Sequence, residues 1–221
     1  YTVNNLKNKN SKMMFKYLTL IIVMLLTWQA QAVSITVNNN KNEPMADAVV
    51  WLTSEVLSSQ SSQADTLYSM VQKDREFTPR ILVVPQNAKV EFPNADSILH
   101  HVYSFSEAKT FELKLYKEQP KAPLVFDQTG VVELGCNIHD WMLGYIVVVD
   151  SPIFDITDNS GHVNLTVEPG EYTLNVWHSG FGDISHVESK KVTIGQAPFI
   201  YKVKQAITEQ FDFATDEFDD Y

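Results

Sequence analysis

The sequence predicts an all-β protein whose larger part is an antiparallel sandwich with a Greek-key strand order. Short segments in which apolar and polar residues alternate recur from residue 33 onward, and this period of two is typical of strands with one buried face. Turn-forming residues separate these segments. All eight glycines lie from Gly130 onward, so the earlier turns depend on Asn, Asp and Pro. Closely spaced short strands of this kind indicate a sandwich.

The elements before Asp150 follow from this alternation. Strands are expected at residues 33–38 and 48–53, and the turn residues between them predict a hairpin. Residues 55–77 are rich in Ser and Gln and then charged, which indicates a surface loop with at most a helical turn. Six more strands are expected at residues 80–84, 88–92, 101–105, 110–116, 131–134 and 143–149.

The composition changes after Asp150, where a second β segment is expected at residues 151–206. Strands are predicted at 163–167, 171–177, 187–194 and 199–203, with turns near Gly161 and at Pro169-Gly170. A segment of this size is small for a core of its own. We therefore expect it to pack on the preceding domain or to complete a sheet with the early strands.

The first residues predict export. Residues 1–12 are polar and are expected to be upstream sequence that is not native to the protein, whereas residues 13–32 have the pattern of a secretory signal peptide. Lys16 supplies the charge, an apolar core follows, and Ala30-Gln31-Ala32 forms the cleavage site. The apolar core is short of the roughly 20 residues that span a bilayer. We expect a periplasmic protein with no membrane span after cleavage; an uncleaved anchor is the alternative.

The charge excludes one class of partner. The net charge is −10, and residues 1–32 hold four lysines and no acid, so the exported part is more acidic still. Such a surface repels nucleic acid and favours basic partners. The end of the chain, residues 207–221, contains six acids and no base, interleaved with aromatic residues. This tail is expected to be a solvated, disordered segment, with a docking peptide as the alternative.

One loop carries the residues that predict chemistry. Cys136 is the only cysteine, and His139 and Met142 follow it at C-x2-H-x2-M spacing. A single cysteine forms no internal disulfide, so metal ligation explains its presence better than an inert buried thiol does. A blue-copper site uses one cysteine, two histidines and a weak axial methionine. His100 and His101 are the candidates for the second histidine.

These motifs resemble the plastocyanin-like cupredoxins of the amicyanin group, the blue copper proteins of methylamine-utilisation type. The resemblance covers roughly residues 78–150 and rests on the Cys136 loop and two further segments. The matching residues outside the loop are Phe92, Asn94, His100, Val102, Phe126 and Gly130. The resemblance implies a Greek-key cupredoxin β-sandwich at residues 33–150. It also implies one type 1 copper ion, held by His100, Cys136, His139 and Met142.

The resemblance also implies residues around the site. Residues after the first histidine and after the cysteine bond to each other in the family, and His101 and Asn137 hold those places here. We expect these two, with Asn94, to support the ligands. The family docks its redox partner on an apolar patch beside the second histidine; Trp141 and Leu143 would supply it. The resemblance implies a dehydrogenase or a cytochrome as the redox partner, and it implies that this chain acts as a monomer.

The later segment resembles the carboxypeptidase regulatory-like or Cna-B-like β domains through Pro169-Gly170-Glu171-Tyr172 and the alternation that follows. It contains three of the six histidines, which raises a second metal site as an alternative. No H-x-H or H-x3-H spacing joins them, which favours ordinary surface or packing roles. These three histidines are His162, His178 and His186.

Electron transfer is the expected function, and no enzyme activity is expected. Six histidines are too few for a multicopper oxidase, and no hydrolase elbow, phosphate loop or dinucleotide fingerprint is present. The chain is predicted to be an exported type 1 copper protein that carries single electrons between periplasmic redox partners. Two alternatives remain: a protein that stores or delivers copper, and a binding module that uses the fold as a scaffold.

Overall fold

The structure is a computed structural model that describes residues 31–58, 66–118, 120, 122–195 and 197–208. The expected upstream segment, nearly all of the expected signal peptide and the tail from residue 209 lie outside the described residues. The all-β prediction is confirmed: the described residues form 17 strands and one four-residue helix, α1 (Glu55–Ser58). No helix among them is long and apolar enough to cross a membrane.

The strands follow one another along the chain with short connections. The first nine are β1 (Gln31–Asn38), β2 (Val49–Thr53), β3 (Leu67–Ser69), β4 (Val71–Lys73), β5 (Glu76–Thr78), β6 (Ile81–Pro85), β7 (Ala88–Glu91), β8 (His100–Ser106) and β9 (Lys109–Tyr116). The others are β10 (Leu124–Phe126), β11 (Gly130–Cys136), β12 (His139–Val149), β13 (Phe154–Ile156), β14 (His162–Val167), β15 (Gly170–Trp177), β16 (Glu188–Ile194) and β17 (Phe199–Lys202).

A first core lies between a five-stranded and a three-stranded sheet. The larger sheet has the order β6-β12-β11-β8-β9, and the smaller has the order β10-β7-β3. The β12 strand pairs antiparallel with β11 and parallel with β6, so the larger sheet is mixed. Fully buried side chains from both sheets, including Phe92, Phe126, Leu134 and Ile146, share this core. Cys136 and Met142 belong to the same core.

A second core covers the other face of the five-stranded sheet. It is built from the sheets β14-β1-β17 and β13-β2-β15-β16, and it includes Ile35, Leu52 and Trp177. Tyr145 of β12 also belongs to it, and its ring centroid lies 5.4 Å from that of Trp177. The strand that follows the predicted ligand loop is therefore packed on both faces.

The hairpin predicted for residues 33–53 is wrong. The β1 strand pairs with β14 and β17, and β2 pairs with β13 and β15, so neither pairs with the other. The apolar residues Val33, Ile35 and Val37 are instead buried against strands from the end of the chain. The pairing groups residues 31–53 with residues 154–202. A division of the chain at Asp150 does not coincide with this grouping.

The loop predicted for residues 55–77 contains regular structure. Besides α1, its described part holds β3, which pairs in parallel with β7, and the hairpin of β4 and β5. Lys73 pairs with Glu76, so Asp74 and Arg75 form a two-residue turn with φ of 55° and 62°. Positive φ at both central residues is what such a hairpin turn requires. This turn bears on the site described next.

Candidate metal centre

Three side chains meet where neighbouring strands of the five-stranded sheet end. His100 is the first residue of β8, Cys136 is the last of β11, and His139 is the first of β12. Cys136 pairs with Val102 on one side and with His139 across a tight turn on the other. The sheet register thus brings residues 36 positions apart in sequence to one place.

The distances within this group suit a single metal ion. Cys136 Sγ lies 3.8 Å from His100 Nδ1 and 3.7 Å from His139 Nδ1, and one ligand atom of each residue lies within 4.8 Å of the other two. A metal ion bound about 2.3 Å from a sulfur and about 2.0 Å from a nitrogen, with about 120° between the two bonds, holds the sulfur and the nitrogen about 3.7 Å apart. A thiolate with two imidazoles is also the donor set of a copper site.

The group is shielded from solvent on one side only. His100 is fully buried and Cys136 is 3% exposed, whereas His139 is partly exposed. Burial lowers the pKa of His139, and the nearby His100 and Arg75 lower it further, against an opposing effect of Asp96. A neutral imidazole is the form that binds a metal, so this environment favours binding at neutral pH.

Met142 lies in the same core cluster as Cys136 and is 2% exposed. It is three residues beyond His139 on β12, and both Cys136 and Met142 line a groove of about 370 Å³ beside the site. Its thioether is a soft, weak ligand of the kind that completes a type 1 copper site. The structure therefore places Met142 in the same buried cluster as Cys136, and Met142 as a fourth ligand stays a prediction.

The structure separates His100 from His101. The His100 ring joins Cys136 and His139, whereas His101 points to the other face of β8 as strand alternation requires. There His101 Nε2 lies 3.0 Å from Glu112 Oε1, at ion-pair distance but without hydrogen-bond geometry. His101 is thus not part of the group.

His101 and Asn137 are nevertheless neighbours. The backbone N–H of Asn137 donates to the carbonyl oxygen of His101 over 3.4 Å, a long hydrogen bond. The connection that the resemblance implies between the two ligand segments therefore runs through the backbone. The His101 side chain takes no part in it because it faces Glu112.

Asn94 fixes the segment that leads to His100. Its side chain is 8% exposed and donates to the carbonyl oxygens of Ile98, at 2.8 Å, and of Tyr116, at 3.1 Å. Its amide oxygen accepts from the backbone N–H of Asp96 at 2.9 Å. These bonds hold the loop of residues 94–100 against β9, where Tyr116 lies.

Asp96 contacts the site directly, although the sequence analysis did not select it. Its Oδ2 lies 2.7 Å from His100 Nε2, the ring nitrogen that faces away from Cys136. Burial raises the pKa of Asp96, but hydrogen bonds from the Arg75 backbone, the His100 ring and the Asp74 backbone outweigh it and hold the pKa below its usual value. The spacing Asp-x3-His was the available signal.

Exposed apolar side chains surround the accessible histidine. Trp141 is 46% exposed, and its ring centroid lies 5.3 Å from that of His139. Leu143 is exposed on the same strand, and Leu99 and Ile138, each next to a member of the group in sequence, are also exposed. An apolar surface at the open side of a buried site is typical of protein docking.

The remaining histidines lie elsewhere. His162 Nε2 is 2.9 Å from Ser34 Oγ, and in the partly buried His178 ring both nitrogens have backbone partners, Ala46 and Gly180. His186 packs edge-on against Phe181. Among the described residues, the group of His100, Cys136 and His139 is the only close cluster of metal-binding side chains. The alternative of a second metal site has no support there.

No protein-family model and no curated protein matches this chain. Among solved structures, a mutant of amicyanin in its reduced Cu(I) form at pH 4 is 20% identical over 45% of this chain and 98% of its own, with a TM-score of 0.35. A purple cupredoxin from Nitrosopumilus maritimus is 21% identical over 37% of this chain and 99% of its own, with a TM-score of 0.33.

A copper-containing nitrite reductase from Thermus scotoductus SA-01 is also similar, with 21% identity over 38% of this chain and a TM-score of 0.36. The matched region spans only 22% of that enzyme. All three matches combine low sequence identity with a TM-score below 0.4.

Proposed function

We propose that the protein is an exported type 1 copper protein that carries single electrons between redox partners. The observation that carries this proposal is the convergence of His100, Cys136 and His139, with donor atoms spaced for one metal ion and buried on the side of the core. The sequence resemblance and the signal-peptide pattern support copper and export, respectively. Bound copper supplies reversible one-electron chemistry.

Each side chain has a role in this proposal. Cys136 binds as a thiolate, so its proton leaves when the metal enters. His100 and His139 bind as neutral imidazoles through Nδ1, the nitrogen that faces the sulfur in both rings. Met142 would supply a weak thioether ligand. Because strands β8, β11 and β12 hold three of these residues, the ligands of a copper ion bound there would be fixed in place, which would suit one-electron transfer.

The exposed edge of His139 is the proposed route for electrons. It is the one member of the group that reaches solvent, and Trp141 lies against it. A partner that covers Trp141 and Leu143 would bring its own redox centre close to His139. We propose a dehydrogenase or a cytochrome with a basic surface as this partner, since the chain is strongly acidic. The protein is proposed to act as a monomer in the periplasm.

The visible spectrum with one equivalent of copper(II) tests this proposal. A strong thiolate-to-copper charge-transfer band that disappears on reduction and returns on oxidation is the expected result. Cys136→Ser should lose the band, and His139→Gln should weaken or shift it. His162→Gln is the matched control, because His162 lies in β14, outside the group, and its loss should leave the spectrum unchanged.

The other outcomes point to the alternatives. A band with copper that exchanges rapidly with a chelator, and with slow redox cycling, would indicate copper storage or delivery. A folded protein that shows no band with copper(II) would refute the copper proposal and favour a binding module.

A further inference from the structure

Asp96 makes the closest polar contact with the buried histidine of the group. Its carboxylate oxygen Oδ2 is 2.7 Å from His100 Nε2. The Asp96 side chain is 13% exposed, and the His100 side chain is fully buried. Because Nε2 lies against a carboxylate, it is the ring nitrogen that carries the proton. His100 Nδ1 is then unprotonated, and it faces Cys136 Sγ.

The carboxylate is itself held in place. The backbone N–H groups at the turn of the β4–β5 hairpin donate to it, from Asp74 to Oδ1 at 2.7 Å and from Arg75 to Oδ2 at 3.0 Å. The backbone N–H of Asp96 donates to the Asn94 side chain at 2.9 Å. A neighbouring hairpin and the ligand loop thus fix both ends of Asp96. This arrangement leaves its carboxylate little freedom to turn away from His100.

We infer that Asp96 is a positioning residue that orients His100 and biases the bound copper toward Cu(II). This inference rests on the proposed copper function. A ring that donates its other N–H to a carboxylate is locked in one tautomer and becomes a stronger donor. A negative charge one imidazole away from the metal also stabilises the doubly charged ion more than the singly charged one.

The variant Asp96→Asn removes the charge and keeps most of the geometry. Its amide oxygen can still accept from Arg75 and His100, whereas its NH2 group replaces Oδ1 and faces the Asp74 N–H, so the bond from Asp74 gives way to a contact between two donors. The matched control is Asp140→Asn, which removes the same charge next to His139 at an exposed position. Among the described residues Asp140 has no hydrogen-bond or ion-pair partner. Asp96→Glu keeps the charge and moves it by one methylene group.

The measurement is the reduction potential of the copper-loaded protein, which reports the ratio of Cu(II) to Cu(I) affinity. We expect this ratio to fall about tenfold in Asp96→Asn, a rise in potential of about 59 mV for a one-electron couple. Asp140→Asn should change it far less because solvent screens an exposed charge. The potential of Asp96→Glu should lie between those of Asp96→Asn and the wild type, because this variant keeps the charge. A merely structural role of Asp96 would not produce this partial recovery.

The outcomes separate this inference from the proposed function. A wild-type protein without a charge-transfer band refutes the copper function itself. A blue wild type whose potential is the same in Asp96→Asn, or shifts equally in Asp140→Asn, overturns the role of Asp96 alone.

If Asp96→Asn does not fold, nitrogen NMR of the wild-type protein loaded with Cu(I) tests the inference instead. His100 Nε2 should carry a slowly exchanging, downfield proton. An Nε2 proton that exchanges rapidly with water and lacks the downfield shift of a hydrogen bond to a carboxylate would overturn the inference.

Discussion

The Asn94 side chain offers the sharpest test of how the ligand loop is held. The change Asn94→Ala removes three hydrogen bonds: two donated to the carbonyl oxygens of Ile98 and Tyr116, and one accepted from the Asp96 N–H. A typical bond contributes about 1 kcal/mol, so the free energy of unfolding should fall by about 3 kcal/mol. For a chain of this size that corresponds to a drop of roughly 6–12 °C in Tm.

Chemical denaturation of the metal-free protein measures this loss. The matched control is Asn164→Ala, since Asn164 is exposed on β14 and its side chain makes no described contact; the change there should cost less than about 0.5 kcal/mol. Copper(II) affinity should also fall in Asn94→Ala, because the loop that ends at His100 loosens. Equal stability losses in the two variants would refute the role given to Asn94.

Three further predictions concern the partner surface and the second core. Trp141→Ala should slow electron self-exchange roughly tenfold while the reduction potential stays unchanged, and NMR line broadening measures the exchange rate. Ile200→Ala, on the exposed surface of β17, should leave the exchange rate unchanged. Glu188→Ala should cost about 3 kcal/mol in urea unfolding, since the buried carboxylate accepts from two backbone N–H groups and a tyrosine hydroxyl. Burial lowers the pKa of His178 in the folded protein, so the unfolded chain binds a proton more readily than the folded chain does. The free energy of unfolding should therefore fall as the pH drops below about 6.5, and it should fall less in His178→Gln. A flat pH profile in the wild type would contradict this account.

The ligand segments were predictable because they depend on local order in the chain. Cys136, His139 and Met142 lie within seven residues of one another, so their spacing predicts that they lie close together. The choice of His100 over the adjacent His101 came from the family resemblance and not from the strand pattern. Strand alternation gives two opposite faces but does not tell which is buried, and the structure settles this by packing Val102 inward, with His100 also buried.

Long-range strand pairing was not predictable in the same way. The small size of residues 151–206 did predict that this segment packs on the preceding domain or completes a sheet with the early strands, and β1 and β2 do pair with β14, β17, β13 and β15. The alternation within β1 and β2, however, does not tell these partners from the hairpin that was also predicted. The contact between Asp96 and His100 was missed for a related reason. Its spacing of four residues is common in any sequence, and it gains meaning only when the Asp74-Arg75 turn fixes the carboxylate.

The β12 strand shows how the second core bears on the site. Its last five residues are all buried: Tyr145, Ile146, Val147, Val148 and Val149. Alternate members enter the first and second cores, so this continuous apolar run is the signature of a strand covered on both faces. Because β12 also begins with His139 and carries Met142, packing on both faces anchors the ligand strand at one end and leaves only its first residues near solvent. For the proposed electron transfer, this anchor suits a site that must keep its shape when its charge changes.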